Sequence, residues 1–570
     1  MVNRGRSGGC VTCKERRVKC DEAKPECRSC QRLKLRCGGY NRPKPKPKDA
    51  KLKFRDQNYK FCTNTNQHDR DVVKAATSPS PSSGSDVQDR EVVRALTSRR
   101  LSEPDTAVPF FLGHYARIGR DMGSTRGFFE MLIPAYLSQQ QESALSLAVS
   151  ALASEILSMW RGEVNSFRSS CKSYTRAITR LRTAIQDPTE RAKPATMLAI
   201  LVLQTYENAS AVYDLRRASS MHHNGAASLL SFVDTDAMDG TVRAYLRKFM
   251  LHTEVSTAMR QKKPLKNIAY SWIETKDTMA VPDNPSSALD AIGASVAELQ
   301  ASYTQFVTQG GSAMSLERLK EWRAEARRID AELLAWAGNV PDHWRPLRLM
   351  SGRDIDSSIP TYQSICEVYP SCQIASIWNL WRFQRLVLAK ITLGSLDAFS
   401  DLSRFSSAYE QFLDNPTDFV NCQQTLQEVV DSVCYSIPFH LGNRTTRSSL
   451  ADFTDPTILL PSQGSLDGVI SSDDHRRHVI AQGPWRAMHP LSRCLTLFSE
   501  DDGEVIASLL RAGQREWIRD QFLRVATLLN LPTEPGNGIE VSGSTGESAD
   551  AKAEYLAREI RKGAILMSGP

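Results

Sequence analysis

Six cysteines, Cys10, Cys13, Cys20, Cys27, Cys30 and Cys37, fall within the first forty residues of a 570-residue chain, spaced C-x2-C-x6-C-x6-C-x2-C-x6-C. The half-pattern C-x2-C-x6-C occurs twice. Thiolates at this density are metal-ligand chemistry: a closed structural zinc site takes four ligands, usually thiolates or imidazoles. With no histidine nearby, six thiolates fill two tetrahedral sites only if two sulfurs bridge, and the repeat suggests one bridge from each half. The expected cofactor is therefore zinc, two ions per chain. A disulfide framework needs an oxidising compartment and normally a signal peptide, and residues 1–9 contain no apolar h-region. The C-x2-C-x2-C run of iron–sulfur proteins is absent. A redox C-x-x-C would sit beside a βαβ pattern; here the surroundings are Lys, Arg, Pro and Gly.

The segments that must position these sulfurs are short and basic. Lys14 to Lys19 and Gln31 to Arg36 each span about two helical turns, enough to bring a cysteine at either end to one metal. Val18, Leu33 and Leu35 are nearly the only apolar side chains inside the motif, so no hydrophobic core can form. Metal binding must supply the folding free energy, about 10–16 kcal/mol for structural zinc peptides, and the segment is expected to be unfolded without it. Residues 1–60 carry nineteen Lys and Arg against six Asp and Glu, a balance of +13 in a chain whose total is +8. Six thiolates and two zinc ions would leave the module near +11. A compact basic module on an otherwise mildly acidic chain is an electrostatic footprint for phosphate backbones, which makes double-stranded DNA the expected partner.

Residues 10–40 run from Cys-Val-Thr-Cys-Lys-Glu-Arg-Arg-Val-Lys-Cys-Asp through Lys-Pro-Glu-Cys-Arg-Ser-Cys to Arg-Cys-Gly-Gly-Tyr. They resemble the fungal binuclear zinc cluster of transcription factors. The resemblance implies two zinc ions bridged by Cys10 and Cys27, with Pro25 in the loop joining the halves. It also implies a first short helix in the major groove, reading CGG triplets. Carried over by position, Arg17 is the base-contacting residue. Arg16 comes next, through its main-chain carbonyl, and Lys14 and Lys19 bind phosphate. The chemistry agrees. An Arg fork matches guanine O6 and N7, worth about 1–3 kcal/mol of discrimination, whereas phosphate contacts position without specifying sequence. Many relatives carry Lys where this chain has Arg17, which leaves the triplet class intact and the finer preference open.

After the cysteines the chain changes character. Arg42 to Lys53 alternates Pro and Lys, which favours extended polyproline II and suits phosphate tracking or nuclear import. Residues 62–108 read as largely disordered, with a Ser/Pro tract at Thr77 to Asp86. Asp69 to Ser78 and Asp89 to Ser98 form a two-copy repeat, each copy a short helix with an Asp start. Arg99-Arg100-Leu101-Ser102 resembles a basophilic kinase site. Heptad spacing at Leu52/Tyr59 and Phe54/Phe61 is not sustained, so a linker zipper is not supported. A homodimer formed by the large region and a monomer reading one triplet both remain open.

From about Val108 to Pro532 helical periodicity dominates, as in Leu145, Val149, Leu152, Ile156 and Trp160. Helices are expected at 144–160, 172–186, 195–213, 241–260, 315–337, 372–393, 423–436 and 514–530, with long loops near 262–290, 340–362 and 442–484. The expected fold is a small metal-stabilised zinc cluster joined by a disordered linker to a large all-α domain. Arg126 to Phe129, His222 to Leu230, Ile377 to Arg382, Val433 to Gly442 and Trp485 to Leu491 resemble the fungal-specific regulatory domain found behind such clusters. That resemblance implies co-regulators and a small-molecule effector as partners. No P-loop, dinucleotide, zinc-protease or nucleophile-elbow motif occurs, and the chain is read as a non-enzyme. Adjacent His222 and His223 point to different sides of a helix and make a poor metal pair. The other cysteines lack metal spacing. The longest apolar run, Met197 to Leu203, is far short of a membrane span. Residues 533–550 read as disordered, and Ala551 to Met567 as a final helix with Tyr555, Leu556 and Ile560 on one face.

The resulting division is 1–41 zinc cluster, 42–108 linker, 109–532 regulatory domain and 533–570 tail. The reading is a nuclear regulator of RNA polymerase II genes that binds DNA at CGG-type triplets, a pathway-specific activator of secondary metabolism. The alternative is a helical ligand-binding or enzymatic protein on which the cluster is a nonspecific basic tether.

Overall fold

The computed structural model describes residues 10–16, 18, 20–37, 103–116, 128–162, 167–233, 241–273, 284–308, 316–403, 417–462, 471–499, 503–532 and 549–563. The chain divides into two compact units, Met1–Ser83 and Gly84–Pro570. In the first, two single-turn helices are present, α1 (Val11–Glu15) and α2 (Arg28–Arg32). Helix α1 is shorter than the two turns expected between Cys10 and Cys20, because the chain leaves helical geometry at Arg16.

The second unit is built almost wholly of helices. They are α3 (Glu103–Phe111), α4 (Phe128–Leu137), α5 (Ala144–Arg161), α6 (Phe167–Gln186), α7 (Pro188–Arg191), α8 (Pro194–Tyr213), α9 (Met221–Leu229), α10 (Thr241–Gln261), α11 (Asn267–Ile273), α12 (Pro285–Thr308), α13 (Leu316–Asn339), α14 (Cys372–Ser403), α15 (Thr417–Leu441), α16 (Ser472–Ser499), α17 (Gly503–Ser508), α18 (Gln514–Leu528) and α19 (Ala549–Gly563). Local rules set several ends. The Ser143 side chain accepts from Ser146 N–H to start α5, and Gly162, in the left-handed region at φ 67°, closes it. Every residue from Met197 to Leu203 is buried. A helix apolar all round belongs inside a protein, and α8 packs against α5, α6 and α9. Among the described residues, no helix is long and apolar enough to cross a membrane.

Several expectations are corrected. Glu103 already lies in a helix, inside the stretch read as linker. The loop expected at 262–290 contains α11 and the start of α12. The loop expected at 442–484 ends early, because α16 runs straight through Gly483-Pro484 and Pro490. Gly and Pro normally punctuate helices, but tertiary contact overrides them here: a Cβ on Gly483 would lie 2.0 Å from the His440 carbonyl oxygen of α15. On α19 the buried stripe is Ala553, Leu556, Ala557 and Ile560, while Tyr555 is exposed; one residue before Leu556, it lies about 100° round the helix. The 69–78 and 89–98 repeat, the Ser102 motif and the Arg42 to Lys53 arm lie outside the described residues.

One departure from all-α is a two-stranded antiparallel ladder, β1 (Leu347–Met350) with β2 (Ile365–Val368), pairing Leu347 with Val368 and Met350 with Ile365. Neither strand alternates in hydrophobicity: β1 is mostly exposed, and Cys366, Glu367 and Val368 of β2 are all buried. Glu367 is held by charge. Arg382 of α14 donates to it at 2.6 Å and also to Tyr369 (2.8 Å), Asn379 (2.8 Å) and Ser432 of α15 (2.9 Å). Of the tryptophans on α14, Trp378 is buried and Trp381 half-buried, and both indole N–H groups are satisfied: Trp378 donates to Trp344 O and Trp381 to Leu333 O.

Both partners of the Arg382–Glu367 pair are almost fully withdrawn from water, at 1% and 2% exposure. Removing Arg382 would leave the buried Glu367 with only the largely exposed Arg348, 3.1 Å away, as counter-ion, a loss of up to about 3–5 kcal/mol. Arg382→Met should lower stability by that order in chemical denaturation, and adding Glu367→Leu should restore a large part of it.

Candidate metal centre and nucleic-acid interface

The interior of the first unit is sulfur. Cys10, Cys13, Cys27 and Cys30 are buried, Cys20 and Cys37 pack on them, and no other apolar side chain among the described residues joins the cluster. Val18, Leu33 and Leu35 are 44%, 48% and 39% exposed. Helices of five residues have no stability of their own, so both depend on what holds the sulfurs.

The seventeen-residue sequence repeat reappears in the backbone. Cys13 N–H donates to Cys10 Sγ at 3.4 Å, and Cys30 N–H to Cys27 Sγ at 3.3 Å, so each thiol caps a helix start. Val18 N–H reaches Cys13 O and Leu35 N–H reaches Cys30 O, both at 3.0 Å. Cys10 N–H on Cys20 Sγ (3.4 Å) closes the first half on itself, and Thr12 Oγ1, donating to Arg36 O (3.1 Å), ties the first half to the second. The Asp21 carboxylate accepts from Arg28 and Ser29 N–H at the head of α2. Asp21 and Thr12 were not anticipated; an acidic residue straight after the third cysteine was the available signal.

Two sets of four sulfurs emerge: Cys10, Cys13, Cys20 and Cys27, and Cys10, Cys27, Cys30 and Cys37, each set within 4.8 Å of one another. Cys10 and Cys27 stand in both. At a Zn–S length of about 2.3 Å, sulfurs at the corners of a tetrahedron are about 3.8 Å apart. The distances within a set are 3.6 Å for Cys10–Cys27, 3.6 Å for Cys13–Cys27 and 3.8 Å for Cys10–Cys30. Burial among their neighbours pushes the Cys10, Cys13, Cys27 and Cys30 thiols up, whereas the N–H of Cys10 brings Cys20 down to about 7. Crowded thiols that resist ionisation fit divalent metal, which would make thiolates of them and neutralise the resulting charge. None of the described cysteines is in a disulfide.

Of the residues expected to touch DNA, Arg16 is exposed at the end of α1, its N–H on Thr12 O at 3.2 Å. Lys14 lies on α1. Arg17 and Lys19 lie outside the described residues. Lys24, Arg28, Arg32, Lys34 and Arg36 are exposed on the same unit. In the large unit, Cys366, Cys372, Cys434 and Cys494 are buried and unbridged, and none enters a metal-ligand group among the described residues. His222 bonds the Tyr174 hydroxyl at 2.9 Å, and His223 bonds Glu254 of α10 at 3.0 Å. Both are histidines with protein partners, and neither enters a metal-ligand group among the described residues.

Residues 8–47 match the fungal Zn(2)-Cys(6) binuclear cluster domain. The N-terminal unit therefore carries a domain of that family, and its cofactor is two zinc ions. Over this stretch the chain is 61% identical across 41 residues to pestheic acid cluster transcriptional regulator 3 of Pestalotiopsis fici, 7% of each chain. It is 60% identical across 37 residues to the aspercryptin biosynthesis cluster-specific transcription regulator atnN of Emericella nidulans, 6% of each chain. It is 60% identical across 35 residues to sterol uptake control protein 2 of Candida albicans, covering 6% of this chain and 5% of that one. The chain thus spans under a tenth of the length of these curated relatives. No solved structure matches it.

Because Cys27 belongs to both sulfur sets and Cys37 to one, their loss should differ. Elemental analysis of the purified full chain should find two zinc ions, about one after Cys37→Ser, and close to none after Cys27→Ser.

Proposed function

We propose that this chain is a nuclear, sequence-specific DNA-binding regulator of RNA polymerase II transcription. Residues 1–41 read DNA, and the helices from Glu103 onward, with α19 packed on α16 and α8, form the regulatory body. The observation that carries this reading is the pair of overlapping four-sulfur sets on the most basic stretch of the chain. Two zinc ions bridged by Cys10 and Cys27 fix α1, and α1 with the turn after it presents Arg16 and Arg17 to guanine in CGG-type triplets. Lys14 and Lys19 grip phosphates on either side.

A pathway-specific role is favoured by relatives named for the pestheic acid and aspercryptin clusters. The fold of the module is held by sulfur, which leaves its exposed arginines and lysines available to a ligand. Co-regulators, a homodimer partner and a small-molecule effector all fall to the helical body.

Binding of the full chain to CGG-bearing and scrambled duplexes tests the proposal. The CGG duplex should bind more tightly, chelation should abolish the preference, and affinity should fall steeply with salt. Arg17→Ala should cost about 1–3 kcal/mol on the CGG duplex alone, while Lys19→Ala should weaken both duplexes alike. Equal binding of both duplexes by the zinc-loaded chain would reduce the module to a nonspecific tether.

A further inference from the structure

Helix α19 seats on the body through a small contact. It packs against α16, α18 and α8. Its buried side chains are Ala553, Leu556, Ala557 and Ile560, the i, i+3, i+4, i+7 spacing of one helix face. Two of these are alanines, so the apolar area that α19 brings to the contact is small. Tyr555, Arg558 and Lys562 are exposed on its outer side. Fifteen residues long, such a helix is marginal by itself in water.

Charge supplies the rest of the fit. Glu554 pairs with Arg515 of α18 at 2.6 Å, and Asp550 with Arg519 of α18 at 3.0 Å. Arg561 donates to Thr496 Oγ1 of α16. The two α18 arginines are 39% and 19% exposed, where added salt weakens an ion pair and its contribution is modest. The tether is longer than the seat requires. Asp550 meets Arg519 nine residues before α18 ends at Leu528, about 14 Å along that helix. Sixteen residues, 533–548, lie between Pro532 and α19, enough to span about 55 Å. α19 can therefore leave its seat without pulling on α18. A helix held by few apolar side chains and screened charges belongs to the part of a fold that opens before the whole.

We infer that α19 is a displaceable occupant of a helix-binding groove formed by α8, α16 and α18, and that the groove's other ligand is an amphipathic helix of a partner protein. α19 shows the pattern such a helix carries. Carboxylates in its first turns face Arg515 and Arg519, small and medium apolar residues follow at i, i+3, i+4 and i+7, and a base lies near Thr496. Helix-in-groove recognition uses this anchor spacing. The partner competes with a tethered helix, so its affinity is set by how often α19 opens, and whatever frees α19 strengthens it. The groove is independent of the DNA-reading proposal; a zinc module that ignored DNA would leave it unchanged.

The test uses the zinc-loaded full chain. Amide exchange across residues 549–563 should be faster than across α16, and faster again with added salt. Arg519→Glu should speed it at least about threefold and leave α16 unchanged. A fluorescent peptide of residues 549–563 then probes the groove by anisotropy. It should bind the Leu556→Glu chain, whose own helix cannot seat, at least about tenfold more tightly than the parent. The same peptide carrying Leu556→Glu should bind neither chain. The inference is overturned if residues 549–563 exchange only when the whole body unfolds, if Leu556→Glu unfolds that body, or if the folded Leu556→Glu chain ignores the peptide. A concentration-dependent dimer of the parent that protects residues 549–563 would equally overturn it, by giving the groove to a second copy in place of a separate partner.

Discussion

Two sulfurs that each belong to two metal sites are the constraint on which the N-terminal unit depends. Six thiols cannot furnish eight ligand positions without sharing, and sharing forces Cys10 and Cys27 to the centre. Once they are central, each caps a helix start, and the two halves close around them in the same pattern. Among the described residues no other apolar side chain joins the sulfur cluster, and Val18, Leu33 and Leu35 face solvent. The unit can therefore devote nearly its whole surface to charge. A hydrophobic core of comparable strength would need many more residues, and a basic surface this dense would oppose its compaction. Metal in place of a core lets so short a segment be both folded and strongly cationic.

The large unit lies in the opposite regime. Its helices gain their stability by burying apolar faces, and its polar interior is organised around arginine. Arg382 donates to Glu367, Tyr369, Asn379 and Ser432, and the terminal nitrogens of Arg444 donate to Asp452, Ser448 and the Ile480 carbonyl. These networks join segments far apart in sequence, β2 to α14 and α15, and the 442–462 connection to α16. Such pairs add little net stability over apolar equivalents, but they penalise any other arrangement of the same helices, because a misplaced partner leaves a buried charge alone.

How much of this was legible follows from how local each signal is. The metal site was almost wholly readable, because ligand spacing, charge and want of apolar residues lie within thirty positions. The helices at 144–161, 194–213 and 316–339 were readable because their apolar stripes repeat every three or four residues. Helix α16 was not, since Gly483 and Pro484 carry a strong local breaking signal, and only the approach of the His440 carbonyl shows why glycine is needed there. The β1–β2 ladder was invisible for a related reason: its strands are stabilised by Arg382, fourteen residues beyond the end of β2, and not by alternation within themselves.

Positive charge thus appears twice in this chain under different dielectric conditions, and the difference has physical consequences. On the zinc unit the cations are exposed, and their attraction for phosphate backbones is shared among many contacts and weakened by added salt. In the helical body Arg382 is withdrawn from solvent against Glu367, where screening by mobile ions is slight and geometry dominates. The Arg382 fork is matched there to one carboxylate, one phenol, one amide and one hydroxyl, so its contacts are set by position and not by total charge. The same residue type therefore attracts phosphate at an exposed surface and fixes helix packing in an interior, on one chain.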